Sequence, residues 1–398
     1  MLRFSPRRTI LALVALAVVA TTAAAQSKVP ERLSDAEFWK LMTDYSEPWG
    51  YFRSENFVSN ETSLQWVIPE LQKTVKPGTV YLGVAPDQNF TYIINLKPSI
   101  AFMVDIRHQN AMQHLLFKAL VETSANRAEF LSKLFSTPPI TGVSDTATVL
   151  QLFEAQSKLQ ADSALYRRNL AMVKERLMKG HGFALSDSEQ VSLDCVYGAF
   201  FNAGPRITYN YSSSCRNPGP GFRGPVYPGG GNFGRGGMGM PTYLEMAAET
   251  DGTINNRSYM GSEANFRILK DYEQRNLIVP LTGNFAGDKA LKTVGQWVRD
   301  HGTTIGAFYT SNVEQYLFQQ DDEAARFYRN VATLPLDAGS TFIRSYSMGS
   351  MYGAPGGVQF KPQSGRSLQL VSSIQEQLKA FDAGNLLAYI SVIQLSHQ

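Results

Sequence analysis

TVYLGVAPDQNFTYIINLKPSIAFMVDI, residues 79–106, decides the fold. Thr79–Ala85 is a short apolar run rich in β-formers, and it ends at Pro86. Asp87 is placed to cap a helix through Leu96, which Lys97-Pro98 stops. Ile100–Ile106 is a second apolar run. Neither run alternates apolar with polar residues, the pattern of parallel strands covered on both faces. The spacing then predicts a helix from about Gln109 to Phe135, with Met112, Leu115, Leu116, Ala119 and Leu120 on one side. Strand, helix, strand, helix is the order of an open α/β sheet.

The same alternation resumes far downstream. Asn276–Leu281 and Thr303–Tyr309 read as strands, with an amphipathic helix between them over Asp288–His301, closed at Gly302. Asp321–Val331 reads as a helix, Ser340–Tyr346 as a strand and Leu368–Phe381 as a final helix. Residues 140–204 are mostly helical in pattern, and residues 217–240 hold 10 Gly and 4 Pro. That stretch lacks the apolar side chains to offset its ordering entropy and reads as a flexible loop. The expected fold class is therefore α/β: a doubly wound, mostly parallel sheet. A helical insertion over 137–216 and the Gly/Pro-rich loop over 217–240 interrupt it within a single domain, 26–398.

Upstream, Asp35–Tyr45 is predicted helical behind a Ser34 cap, and a second helix is expected from Thr62 to Gln72. Between them, Glu47–Asn56 is dense in aromatic and polar residues, a lid over a ligand or a brace on the sheet. Residues 1–25 read as an export signal: Arg3, Arg7 and Arg8, then an apolar run from Ile10 to Ala20, then Ala23-Ala24-Ala25. The run is short for a membrane span, which needs about 20 apolar residues. The expected location is periplasmic or secreted.

The 398 residues carry 37 Lys+Arg against 34 Asp+Glu, net +3. Removing the signal leaves the two signs equal, so no basic footprint remains for nucleic acid. No later stretch is long and apolar enough to suggest a transmembrane segment. Cys195 and Cys215 are the only two cysteines and are a candidate disulfide in an oxidising compartment. The five histidines show no metal-ligand spacing, so no metal site is expected.

Ligands of such sheets bind beyond the carboxyl ends of the strands, where the strand order reverses. That rule selects Asp87, Gln88 and Asn89 after the first strand, Asp105 and Arg107 after the second, and Asn284 after the third. Ser311, Asn312 and Glu314 follow the fourth, and Tyr51 and Asn56 lie on the aromatic segment read above as a lid or a brace. Asp105 is placed to accept from a ribose diol, or else to cap the next helix or pair with Arg107. The first turn lacks G-x-G-x-x-G, with Gly83 alone and inside the strand. No G-x-S-x-G marks a hydrolase, and His301 beside Gly302 reads as a helix C-terminal cap.

The segments SEPWGYFRSENFVSNE (46–61), YLGVAPDQNFTYI (81–93), FMVDIRHQN (102–110), LIVPLTGNFAGDKAL (277–291) and FYTSNVEQYLF (308–318) resemble a bacterial protein family without an assigned activity. Its fold is thought to be like that of S-adenosylmethionine-dependent methyltransferases. The resemblance implies a methyltransferase-like, Rossmann-like domain with Gly83, Asp87, Asn89 and Asp105 around the place such a cofactor would take. It implies no catalytic residue. The leading expectation is an exported protein that binds a small polar ligand or a protein partner at the carboxyl ends of the strands. An active methyltransferase and a hydrolase are the alternatives.

Overall fold

The computed structural model describes residues 29–52, 54–210, 240–347 and 367–398. Residues 1–25, read above as an export signal, Cys215 and most of the Gly/Pro-rich loop lie outside them.

Six strands form one sheet: β1 (Val80–Gly83), β2 (Ile100–Asp105), β3 (Ile278–Thr282), β4 (Ile305–Ser311), β5 (Leu336–Ser347) and β6 (Ser367–Ser373). Their order is β3-β2-β1-β4-β5-β6. The first five run parallel, and β6 runs antiparallel to β5. Every residue of β1 to β4 is buried, which accounts for their unbroken apolar reading.

The two faces are covered by different helices. On one, Phe102 meets Trp297 of the Ala290–Asp300 helix, and Phe308 meets Phe327 of the Glu323–Val331 helix. On the other, Tyr309 packs on Tyr92 of the Gln88–Leu96 helix, and the His108–Thr123 helix lies over β2 and β3. The helical stretch between the halves joins the same apolar core: Leu152, Phe153, Val173, Leu193, Val196 and Phe200 are continuous with the sheet's side chains.

Three local expectations change. The long helix after β2 breaks at Ser124, and Asn126 caps a second helix, Arg127–Leu134, by accepting from the Glu129 N–H. Asn at that position offers the backbone a cap in place of another helical turn. The helix expected from Thr62 starts instead at Ile68, behind Ser63 in the left-handed region (φ 62°). Leu368–Phe381 is not one helix. Ser367–Ser373 is strand β6, and the helix runs over Ile374–Asp382. Leu368 and Leu370, two apart, point into a small cluster with Tyr346 and Ile393. The open edge of β5 makes that alternation a strand. No helix among the described residues is long and apolar enough to cross a membrane.

Candidate functional site

The strand order reverses at β1, so its carboxyl end and that of β4 form the switch point. Both strands end in strain. Ala85 (φ 69°) and Ser311 (φ 54°) occupy the left-handed region, which disfavours residues with a Cβ.

The turn after β1 is tied from within. Asn89 is fully buried, and its Nδ2 donates to the carbonyls of Val84, Ala85 and Pro86 at 2.8, 3.0 and 2.8 Å. Its Oδ1 accepts from the Tyr81 hydroxyl at 2.8 Å. Gly83 makes room for this amide, since a Cβ there would lie 2.1 Å from Asn89 Oδ1. The glycine thus serves an internal side chain.

Asp87 does not cap the following helix with its side chain. Its carboxylate is buried, and Oδ2 accepts from the Tyr259 hydroxyl at 2.8 Å, which in turn lies 2.7 Å from the Tyr243 hydroxyl. Burial pushes the Asp87 carboxyl up to about 6, against the pull of Tyr259 and of its own backbone N–H. Oδ1 has no hydrogen-bond partner among the described residues. On the helix after β2, His114 Nε2 lies 3.1 Å from the Ala85 carbonyl, while Nδ1 is buried without a partner among the described residues. Burial holds the His114 ring down to about 4. Asn110, one helical turn before His114 on the same face, is buried with both amide atoms unpartnered. Phe90 bridges the group, 5.6 Å from the His114 ring and 5.4 Å from Tyr259.

The β4 side is a second polar pocket. Glu61 is buried and accepts from the Tyr309 hydroxyl at 2.5 Å and from Ser311 Oγ. Burial raises its carboxyl, and those hydrogen bonds oppose the rise. Gln88 Nε2 reaches Tyr309 at 3.4 Å, leaving its Oε1 and the nearby Tyr92 hydroxyl unpartnered.

The other sequence-selected residues are paired. Arg107 grips both oxygens of Asp105, Nε to Oδ1 at 3.2 Å and Nη2 to Oδ2 at 3.0 Å, and Asp105 Oδ1 also accepts the Arg107 backbone N–H. Arg107 also donates to the Glu55 carbonyl, and the Asn56 amide oxygen accepts from its Nη2 at 3.3 Å. Asn284 donates to Glu323 at 3.2 Å, and its own backbone N–H donates to Glu47 at 3.2 Å. Asn312 precedes the Val313–Leu317 helix without capping it by its side chain, and Ser311 likewise bonds elsewhere. Glu314 is held by Arg344, Tyr328 and Thr310. Tyr51 is exposed at 44% on the segment that crosses the ends of β2 and β3, through Gly50 N–H to Ile106 O and Glu47 N–H to Thr282 O. His301 does close its helix, with Nδ1 2.7 Å from the Trp297 carbonyl. These groups line one edge of the sheet but share few partners.

Sequence reading missed Glu61, Asn110, His114 and Tyr259. The i, i+4 placement of Asn110 and His114 on the helix after β2 was the available signal for two of them. Tyr259 lies in irregular chain, where no periodicity marks it. Two surface cavities, ≈ 530 Å³ around Gly142 and Glu154 and ≈ 210 Å³ between Tyr328 and Phe381, include none of the unpartnered groups.

The fold is α/β with a mostly parallel six-stranded sheet. The chain belongs to the DUF7790 family, described as a domain of unknown function, which matches residues 56–190 and 232–389. The match takes in the whole switch-point group and skips 191–231, where both cysteines lie. No curated protein matches the chain.

Proposed function

We propose that this is an exported protein on a methyltransferase-like fold that holds a small polar ligand at the carboxyl end of β1. One observation carries the reading: Asp87, just after β1, and Asn110 and His114, on the helix after β2, hold buried polar atoms without partners among the described residues. Buried polar groups are nearly always satisfied, so a cluster of orphans calls for a missing partner. The methyltransferase-like detail is supported by the order β3-β2-β1-β4-β5 with a reversed strand beside β5. The apolar run after three arginines at the N-terminus supports export. The direct test is mass spectrometry of the intact protein under native conditions. A bound small molecule, lost in a Asn110→Ala, His114→Ala double variant, is the expected result; a protein that carries nothing and gains no stability from any small polar compound would sink the reading.

Methyl transfer is the second reading, and Asp105 at the end of β2 is the feature that favours it. Both its oxygens are engaged by Arg107, so ribose binding would have to displace a buried ion pair. A melting shift with S-adenosylmethionine, growing as RT ln(1 + [L]/Kd) and absent in Asp105→Ala, is the outcome this reading requires.

A further inference from the structure

We infer that the ligand of the β1 site is an organic ammonium ion, its N–H groups donating to Asp87 Oδ1 and His114 Nδ1 against the aromatic wall of Phe90 and Tyr259. This rests on the ligand-site reading above and adds the chemical class. The first acceptor is Asp87. Its carboxylate is buried and meets no Lys, Arg or His cation among the described residues; a tyrosine hydroxyl is its one side-chain partner. Buried charges are otherwise paired, so the missing partner is positive.

His114 gives the same sign by a different route. A carbonyl oxygen only accepts, so the Nε2 facing Ala85 O carries the proton. Burial keeps the ring neutral, so Nδ1 presents a lone pair. The two unpartnered atoms of Asp87 and His114 are therefore both acceptors. An anionic guest would face a carboxylate and a lone pair. The Asn110 amide oxygen adds a third acceptor, and its NH2 serves a hydroxyl or carbonyl elsewhere on the guest. Aromatic rings attract cations through their negative faces, and Phe90, Tyr259 and Tyr243 supply three close by. A divalent metal fits less well, since no group of three His, Cys, Asp or Glu gathers here or elsewhere among the described residues.

The pH profile follows from the groups that face Asp87. Tyr243 and Tyr259 are held well above 10, and His114 is held at about 4. The Asp105–Arg107 pair stands behind His114. Of these groups, Asp87 is the one that changes charge between pH 5 and 8, at about 6.

The experiment uses the full chain, titrated calorimetrically and by thermal melting with ethylammonium chloride, ethanol and sodium propionate. Ethylammonium is expected to bind and to raise Tm. Its affinity should fall about tenfold from pH 7 to pH 5, following the ionised fraction of Asp87. Asp87→Asn, which still accepts from Tyr259, should abolish the effect, while Asp44→Asn, at a surface pair with Lys40, should keep it. Binding of ethanol or propionate in place of ethylammonium, lost on Asn110→Ala, overturns the ammonium class and leaves the ligand site standing. A shift with manganese chloride alone does the same. No binding by any probe, with only water found between Asp87 and His114 at high resolution, overturns both.

Discussion

The carboxyl ends of β1 and β2 are neighbours in the sheet, and each carries a buried aspartate followed by a helix. At the β2 end, Asp105 is gripped by Arg107, whose remaining donors reach Glu55 and Asn56. At the β1 end, Asp87 has a tyrosine on one oxygen and, among the described residues, no partner on the other, and His114 and Asn110 likewise hold polar atoms without partners there. Position in the fold is almost the same; satisfaction is opposite. A completed network fixes structure, and an incomplete one marks where something else belongs. The deep pair of Glu314 with Arg344 follows the β2 pattern.

The largest effect should come from breaking the satisfied end. Arg107→Ala strands the Asp105 charge in the interior and should cost about 3–5 kcal/mol by urea unfolding at pH 7. A loss under 1 kcal/mol would mean that the pair is wetter than its burial indicates.

Glu122 provides the same contrast within one helix. Burial raises its carboxyl, but His181 and Lys118 more than reverse this, to about 2. A depressed folded value means stability present above the unfolded value of 4.5 and lost as pH falls toward 2. Glu122→Gln should therefore cost about 3 kcal/mol at pH 7, with the difference shrinking below pH 4. Glu273, raised to about 8 by burial, is neutral in the folded protein at pH 7 but ionised in the unfolded chain, so Glu273→Gln should gain about 3 kcal/mol there and little near pH 4.

The unsatisfied end should respond with the opposite sign. The Asp87 carboxyl is raised when folded, so the wild type loses stability as pH climbs from 3.8 through about 6. Asp87→Asn should gain about 3 kcal/mol at pH 7 without ligand and little near pH 4. A destabilised Asn variant at pH 7 would show that a cation already serves Asp87.

The smallest change tests the turn. Gly83→Ala places a Cβ on Asn89 Oδ1 and should cost about 1–3 kcal/mol. Pairing it with Asn89→Ala should recover part of that loss, because the clash is with the amide; independent losses would assign Gly83 another role.

Much of the fold was legible because continuous apolar runs have one use in an α/β chain. VYLG and IAFMVD read as buried parallel strands and are such strands. The edge was less legible. Leu-Gln-Leu in β6 reads as strand only beside an open β5, so its periodicity lost to the helix pattern that follows. The site was legible as a place, through the switch-point rule, and not as a set of partners. Asp87 and Asp105 look alike in sequence, each an acid at a strand end. Arg107 lies two residues from one, and Tyr259 comes to the other from 172 positions away.

The sequence alone determined the alternation, the apolar strands and the acids that follow them, because local periodicity and turn chemistry act within a few residues. Tertiary structure alone decided which acid is neutralised and which is left open. That depends on the side chains that distant segments bring within about 3 Å, a distance at which hydrogen bonding separates a finished polar group from an unfinished one.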